Sequence, residues 1–111
     1  MRLRKEDALM QEEEILVVAQ VSDALAHPAR IKIYQYIMQC NKDRIPVCNK
    51  DVVAAFNYSQ ATISQHIKKL IQANLIQMKK DDKCSMYYAN MGVLMQYLNA
   101  TKKFATFQAG Q

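Results

Sequence analysis

SQATISQHIKKLIQANL, residues Ser59 to Leu75, reads as one amphipathic helix with a buried back and an open front. Ser59 is a good N-cap, since its hydroxyl can accept the amide two or three residues on, and Ile63, Ile67, Leu70 and Ile71 recur at helical spacing. Turning about 100° per residue puts Ala61, Thr62, Gln65, Lys68, Lys69 and Gln72 on the other side. That face is small, amide-bearing and cationic, with no carboxylate between Ser59 and Lys80. Such a surface suits a DNA groove, where amides read base edges and ammonium groups meet phosphates. The plainer reading of the same residues is a core helix with a solvated polar face.

The neighbouring segments favour the first reading. Upstream, Asn49 can cap a short helix from Lys50 to Phe56 whose contacts come from Val52, Val53 and Phe56. Only Asn57 and Tyr58 separate it from the Ser59 cap, the turn of a helix-turn-helix, with Asn57 able to take the left-handed conformation that glycine often fills. Downstream, Asn74 is a helix stop. Leu75–Lys80 and Cys84–Ala89 are strand-like runs joined by the charged turn Asp81-Asp82-Lys83. Helix, turn, helix and hairpin is the order of a winged helix-turn-helix, and Lys79, Lys80 and Lys83 place positive charge on the wing.

The 111 residues suit one domain, spanning 1–111, and a 50% hydrophobic content gives it a modest core that a dimer would enlarge. Fifteen Lys and Arg against ten Asp and Glu give a net charge of +5, but the distribution says more than the sum. Glu6, Asp7, Glu12, Glu13 and Glu14 crowd the first quarter, whereas the helix and wing carry Lys68, Lys69, Lys79, Lys80 and Lys83. The basic start Met1-Arg2-Leu3-Arg4-Lys5 leads into acidic sequence and not an apolar run, so neither a signal peptide nor a membrane span is expected, and the location expected is cytoplasmic. Cys40, Cys48 and Cys84 are odd in number and lack Cys-x-x-Cys spacing, so neither a disulfide framework nor a zinc ribbon is indicated, and each reads first as a small buried hydrophobe. The absence of a Gly-rich phosphate loop and of any Cys-His or Ser-His-Asp arrangement argues against an enzyme, and no cofactor is expected.

Taken from the start, Glu6 to Leu25 forms a long first helix with Leu9, Ile15, Leu16, Val18 and Ala19 available for an apolar face. Pro28 opens a second helix running through Ile31, Ile33, Tyr34, Ile37 and Met38 to about Cys40, closed by Asn41-Lys42-Asp43-Arg44. His27 is read as a capping or packing residue and not a ligand, and His66, on the flank of the helix at 59–75, either packs or reaches a phosphate. Ile45-Pro46-Val47 can add a third, edge strand to the hairpin. Asn90 caps a last helix from Met91 to about Phe107, whose stripe includes Val93, Leu94, Tyr97, Leu98 and Ala105. The first and last helices together form an apolar pair expected to be a homodimer interface. The fold expected is α+β, mostly α: a winged helix-turn-helix of about five helices with a β-hairpin wing, homodimeric.

The local text resembles the ArsR/SmtB family of bacterial winged-helix repressors over most of the chain. Ser22 to Ile31, SDALAHPARI, is similar to the family's ALAHPTRLRIL at the start of its second helix, and Ser59 to Ile67, SQATISQHI, to its SQSTVSxHL recognition helix. Leu70, Ala73, Leu75 and Ile76 follow its LxxAGLV step into the wing, with Asn74 in the glycine place. The resemblance implies a dimer that binds a double-stranded DNA operator and releases it on a signal. One family metal site uses Cys-x-Cys before the recognition helix; here Cys48 stands at the first position and Lys50 at the second. The other uses carboxylates and histidines on the last helix, and Met91 to Gln111 contains no Asp, Glu, His or Cys. No metal site is therefore expected, and the effector is unknown. Redox-sensing members pair a cysteine late in the second helix, where Cys40 fits, with one in the last helix, where nothing fits, so a thiol switch would draw on Cys48 or Cys84. Of these Cys48 is the better placed, because it precedes a helix whose N-terminal dipole lowers a thiol pKa.

The DNA-binding set expected is Ser59, Gln60, Ala61, Thr62, Ser64, Gln65, His66, Lys68, Lys69, Lys79, Lys80 and Lys83. Within it Ala61, Thr62, Ser64 and Gln65 read bases, while Gln60 and the lysines hold phosphates. Two alternatives stand beside it: a winged-helix protein-interaction module that meets an acidic partner, and a thiol-responsive repressor.

Overall fold

The computed structural model describes residues 9–81 and 83–107, so the expectations for Glu6, Asp7 and the basic start lie outside the described residues. Among the described residues, five α-helices and one antiparallel hairpin follow one another as α1 (Glu12–Ala24), α2 (Pro28–Lys42), α3 (Asn49–Ala55), α4 (Gln60–Gln72), β1 (Ile76–Lys80), β2 (Ser85–Ala89) and α5 (Met91–Thr101). A 3-10 segment, Lys102–Phe107, continues α5 where a longer α-helix was expected.

α1 starts at a capping box in which the Gln11 N–H donates to Glu14 Oε1 at 2.9 Å, and three glutamates in its first turn suit the positive end of the helix dipole. Its core residues are Val21 and Ala24, with Val17 alongside; Leu9, Ile15, Leu16 and Ala19 of the expected face point outward. α2 begins with Pro28 at its first turn. It ends in a Schellman turn at Arg44, whose φ of 59° lets the Ile45 N–H reach the Cys40 carbonyl at 2.8 Å. α4 ends in the same way at Asn74, with φ 61°, and the Leu75 N–H returns to Leu70 at 3.0 Å. Asparagine accepts this left-handed conformation readily, as expected for it; arginine gives no such signal.

Two local expectations change. Asn49 is the first residue of α3 and not its cap, because Asp51 at the third helical position accepts both the Cys48 N–H (2.9 Å) and the Cys48 thiol (3.2 Å), which makes Cys48 the cap. Asn57 is not left-handed. The turn is instead set by an extended Phe56, whose ring stacks on Tyr58 (6.2 Å) and meets Tyr36 edge-on (5.6 Å).

The core gathers Ile33 and Ile37 of α2, Val52 of α3, Ile63, Ile67 and Leu70 of α4, and Leu75, Ile76 and Tyr87 of the hairpin. β1 and β2 pair from Ile76 opposite Ala89 to Lys80 opposite Ser85. The expected third strand shrinks to one rung, an isolated bridge between Cys48 and Met86 beside the 2.9 Å bond from the Tyr87 N–H to the Val47 carbonyl. Asn41 does more to hold β2: its Nδ2 donates to the Tyr87 carbonyl (3.2 Å) and its Oδ1 accepts from the Ala89 N–H (2.7 Å). α1 and α5 pack together at one end, tied by Lys103 Nζ to Glu14 Oε1 at 2.8 Å. No described helix is long and apolar enough to cross a membrane.

Candidate nucleic-acid interface

α4 owes its position to its buried stripe, and its exposed side follows from the geometry of one helix. Ser59 caps it by accepting the Thr62 N–H at 3.2 Å. The Ser59 hydroxyl also donates to Thr62 Oγ1 at 3.0 Å, so Thr62 is half-buried and its hydroxyl engaged in the cap. Gln60, Ala61, Ser64, Gln65, Lys68 and Lys69 are exposed in one continuous band. Asn49, at the start of α3, donates from Nδ2 to Ser64 Oγ at 3.2 Å and so joins the two helices of the pair on the outward side.

His66 sits at the edge of this band, half-buried. Its Nδ1 accepts from Arg30 Nε at 3.3 Å, which places the ring proton on Nε2, and the ring packs against His27 (4.9 Å between centroids) and Tyr58 (6.4 Å). Burial, then the neighbouring His27 and Arg30, hold its pKa below the ordinary histidine value. His27 occupies the N-cap position of α2 without a side-chain capping bond, so of its two expected roles packing is the one it plays. Arg30 also donates from Nη1 to the Asp23 and Ala24 carbonyls at 3.4 Å, joining the end of α1 to α4. Nothing local to Arg30 signals this role, since its partner lies 36 residues away. His27, Arg30, Gln65, His66, Lys68 and Lys69 with Gln72 line a cleft of about 420 Å³ that could receive an anionic group.

On the wing, Lys79, Lys80 and Lys83 are all exposed, and Lys79 Nζ lies 5.7 Å from the centre of the Tyr88 ring. The band on α4 and the wing meet at a cavity of about 500 Å³, whose walls include Gln60, Lys83, Cys48 and Cys84. Cys48 is not the activated thiol expected from its place before α3. Burial, its bond to the Asp51 carboxylate and the neighbouring Cys84 push its pKa up, and α3 is only seven residues long. Cys40 is buried and Cys84 half-exposed. Among the described residues no group of three or more His, Cys, Asp or Glu is placed to hold a metal ion.

Residues 27–78 match the family described as bacterial regulatory protein, arsR family. A relative, the arsenical resistance operon repressor of Staphylococcus xylosus, is 31% identical over 75 residues, or 68% of this chain and 66% of that protein. The chain thus spans just under two thirds of that relative's length. Among solved structures, an ArsR-like transcriptional regulator from Rhodococcus sp. RHA1 superposes with a TM-score of 0.73 at 17% identity, covering 86% of this chain and 85% of that one. The homodimeric winged helix-turn-helix DNA-binding domain from Mycobacterium bovis superposes with a TM-score of 0.64 at 17% identity, over 91% of this chain and 87% of that one. At these identities the likeness establishes the fold, a winged helix-turn-helix.

Proposed function

We propose that the chain is a member of the ArsR family of bacterial regulatory proteins and acts as a homodimeric, sequence-specific DNA-binding repressor. The observation that carries this reading is the exposed, carboxylate-free band of α4 set beside three exposed wing lysines. In it Ala61, Ser64 and Gln65 face the base edges of a major groove, with Gln65 suited to a bidentate contact with adenine. Ser59 and Thr62 sit at the cap, where the helix N-terminus approaches a phosphate. Gln60, Lys68, Lys69, Lys79, Lys80 and Lys83 hold the backbone on either side, and His66 acts chiefly by fixing α4 against Arg30.

The dimer is supported by the apolar surface left uncovered where α1 and α5 meet: Leu16, Met95, Leu98, Phe104 and Phe107 are all exposed. Two copies joined there would present two α4 helices to half-sites one helical turn apart. The family is one of regulators and not of enzymes, in line with the lack of a catalytic arrangement in the sequence. Lys50 beside Cys48 and the bare last helix speak against release by the family's metals.

A test is anisotropy titration of duplexes selected from random sequence, at several salt concentrations. The log of affinity should fall linearly with log salt, by up to about 0.9 for each phosphate neutralised, and one selected sequence should outcompete random DNA by at least about a thousandfold. A flat salt response, or equal affinity for all duplexes, overturns the reading in favour of a protein-interaction module.

A further inference from the structure

Two thiols meet at the base of the wing. Cys48 caps α3 and its backbone forms the single antiparallel bridge to Met86, so Cys84, two residues before Met86, is its diagonal neighbour across that bridge. Both line the cavity between α3, the start of α4 and the hairpin, with Val53, Met78 and Tyr87 supplying its apolar wall. Cys84 stands near enough to influence the ionisation of Cys48. Their exposures differ: Cys48 is 4% exposed, whereas Cys84 is open to solvent on one side. Cys40, a buried residue of α2, does not line this cavity.

We propose that hydrogen peroxide converts Cys48 and Cys84 into a reversible intramolecular disulfide that staples the wing turn to the first helix of the helix-turn-helix pair and weakens DNA binding. The weakening rests on the DNA-binding function proposed above; the bond does not. Cys84, the more open thiol, reacts first. Its sulfur takes one peroxide oxygen as the O–O bond breaks, giving a sulfenic acid, and the released hydroxide leaves with the thiol proton as water. Cys48 Sγ then attacks the sulfenic sulfur; the S–S bond forms, the S–O bond breaks, and the hydroxyl leaves with the Cys48 proton as a second water. Two thiols lose two electrons and two protons, and peroxide is reduced to two waters. A small thiol reductant reverses the bond by exchange.

The bond changes the wing for a geometric reason. A disulfide holds the Cα atoms of its two residues about 4.4–6.8 Å apart, so once formed it fixes Cys84 and the turn beside it against the start of α3. The Asp81 N–H donates to the Cys84 carbonyl at 2.8 Å, which ties the end of β1 to Cys84. Lys83, next in chain to Cys84, is drawn into the mouth of the cavity it already lines and away from a passing phosphate. Cys48 also gives up its thiol bond to Asp51, which loosens the cap of α3.

The full chain is treated with hydrogen peroxide, its remaining thiols are alkylated, and intact mass, peptide map and DNA affinity are measured. The expected result is a loss of about 2 Da, one alkylatable thiol and a single cross-linked peptide joining Cys48 to Cys84, all reversed by dithiothreitol. The slope of log affinity against log salt should shrink by about one for each wing. Cys84→Ser, at a half-exposed position, should abolish the bond and leave the affinity of the reduced protein unchanged, while Cys40→Ser should still form it. A Cys84–Cys84 link between protomers, a pair that includes Cys40, Cys84 driven only to sulfinic acid, or a closed bond with an unaltered salt slope overturns the proposal. Should the reduced chain bind no duplex, the functional reading falls, and the mass measurement still decides the bond.

Discussion

Replacing Asn41 with alanine removes the clamp that fastens the wing to α2. Its amide makes two bonds at once, donating to the Tyr87 carbonyl at 3.2 Å and accepting from the Ala89 N–H at 2.7 Å, and both lie in half-buried surroundings at the free side of β2. Alanine leaves one donor and one acceptor without these partners. At about 0.5–1.5 kcal/mol net per bond, the loss is about 1–3 kcal/mol. In a domain of this size that lowers the melting midpoint by about 4 °C or more per kcal/mol, provided protein concentration is held constant for a chain that self-associates. Asn41→Asp separates the two bonds. The carboxylate still accepts from Ala89 but opposes the Tyr87 carbonyl, so at neutral pH it should cost as much as alanine, and in mild acid the protonated group can donate to that carbonyl and recover part of the loss. Urea unfolding followed by circular dichroism gives the energies, and hydrogen exchange at the Ala89 amide reports the clamp itself. An alanine variant within about 0.5 kcal/mol of the parent, or an aspartate variant of parental stability at pH 7, refutes the reasoning.

Gln65→Ala should cost about 1–3 kcal/mol on the preferred duplex and relax discrimination at one base, whereas Lys69→Ala should weaken all duplexes alike; competition binding distinguishes them, and the reverse pattern reassigns both residues. Ile67→Ala, at a fully enclosed position of α4, should cost about 2–5 kcal/mol in urea unfolding, and a smaller loss would mean that the core closes around the gap. The Asp51 pKa is lowered, chiefly by the Cys48 backbone N–H and then by its thiol, so its contribution is complete above the ordinary carboxylate range and fades as pH falls through the lowered value; Asp51→Asn should flatten that acid limb in a pH series of unfolding curves. The His66 pKa is also lowered, by burial first. The unfolded chain therefore binds the extra proton more readily, and stability should drop as pH falls below about 6.5, a drop that His66→Gln removes.

Features settled within one segment were legible before any fold was known. The period of Ile63, Ile67 and Leu70 set the buried side of α4, and therefore its cationic front, because a helix has one geometry whatever it packs on. The caps at Ser59 and Asn90 and the left-handed stop at Asn74 depend on bonds within five residues, and each lies where its side chain predicted. Features that depend on partners far apart in the chain were not legible until the fold was known. Arg30 finds His66, Asn41 replaces a missing strand beside β2, and Phe56 takes up through ring packing the turn that Asn57 was expected to make. The same holds for Cys48: its place before a helix predicts a lowered thiol pKa, but burial and the Asp51 carboxylate raise it. The outward turn of Leu16 on α1 is of this kind too, since an apolar face can be assigned to a core only once the neighbours that cover it are known.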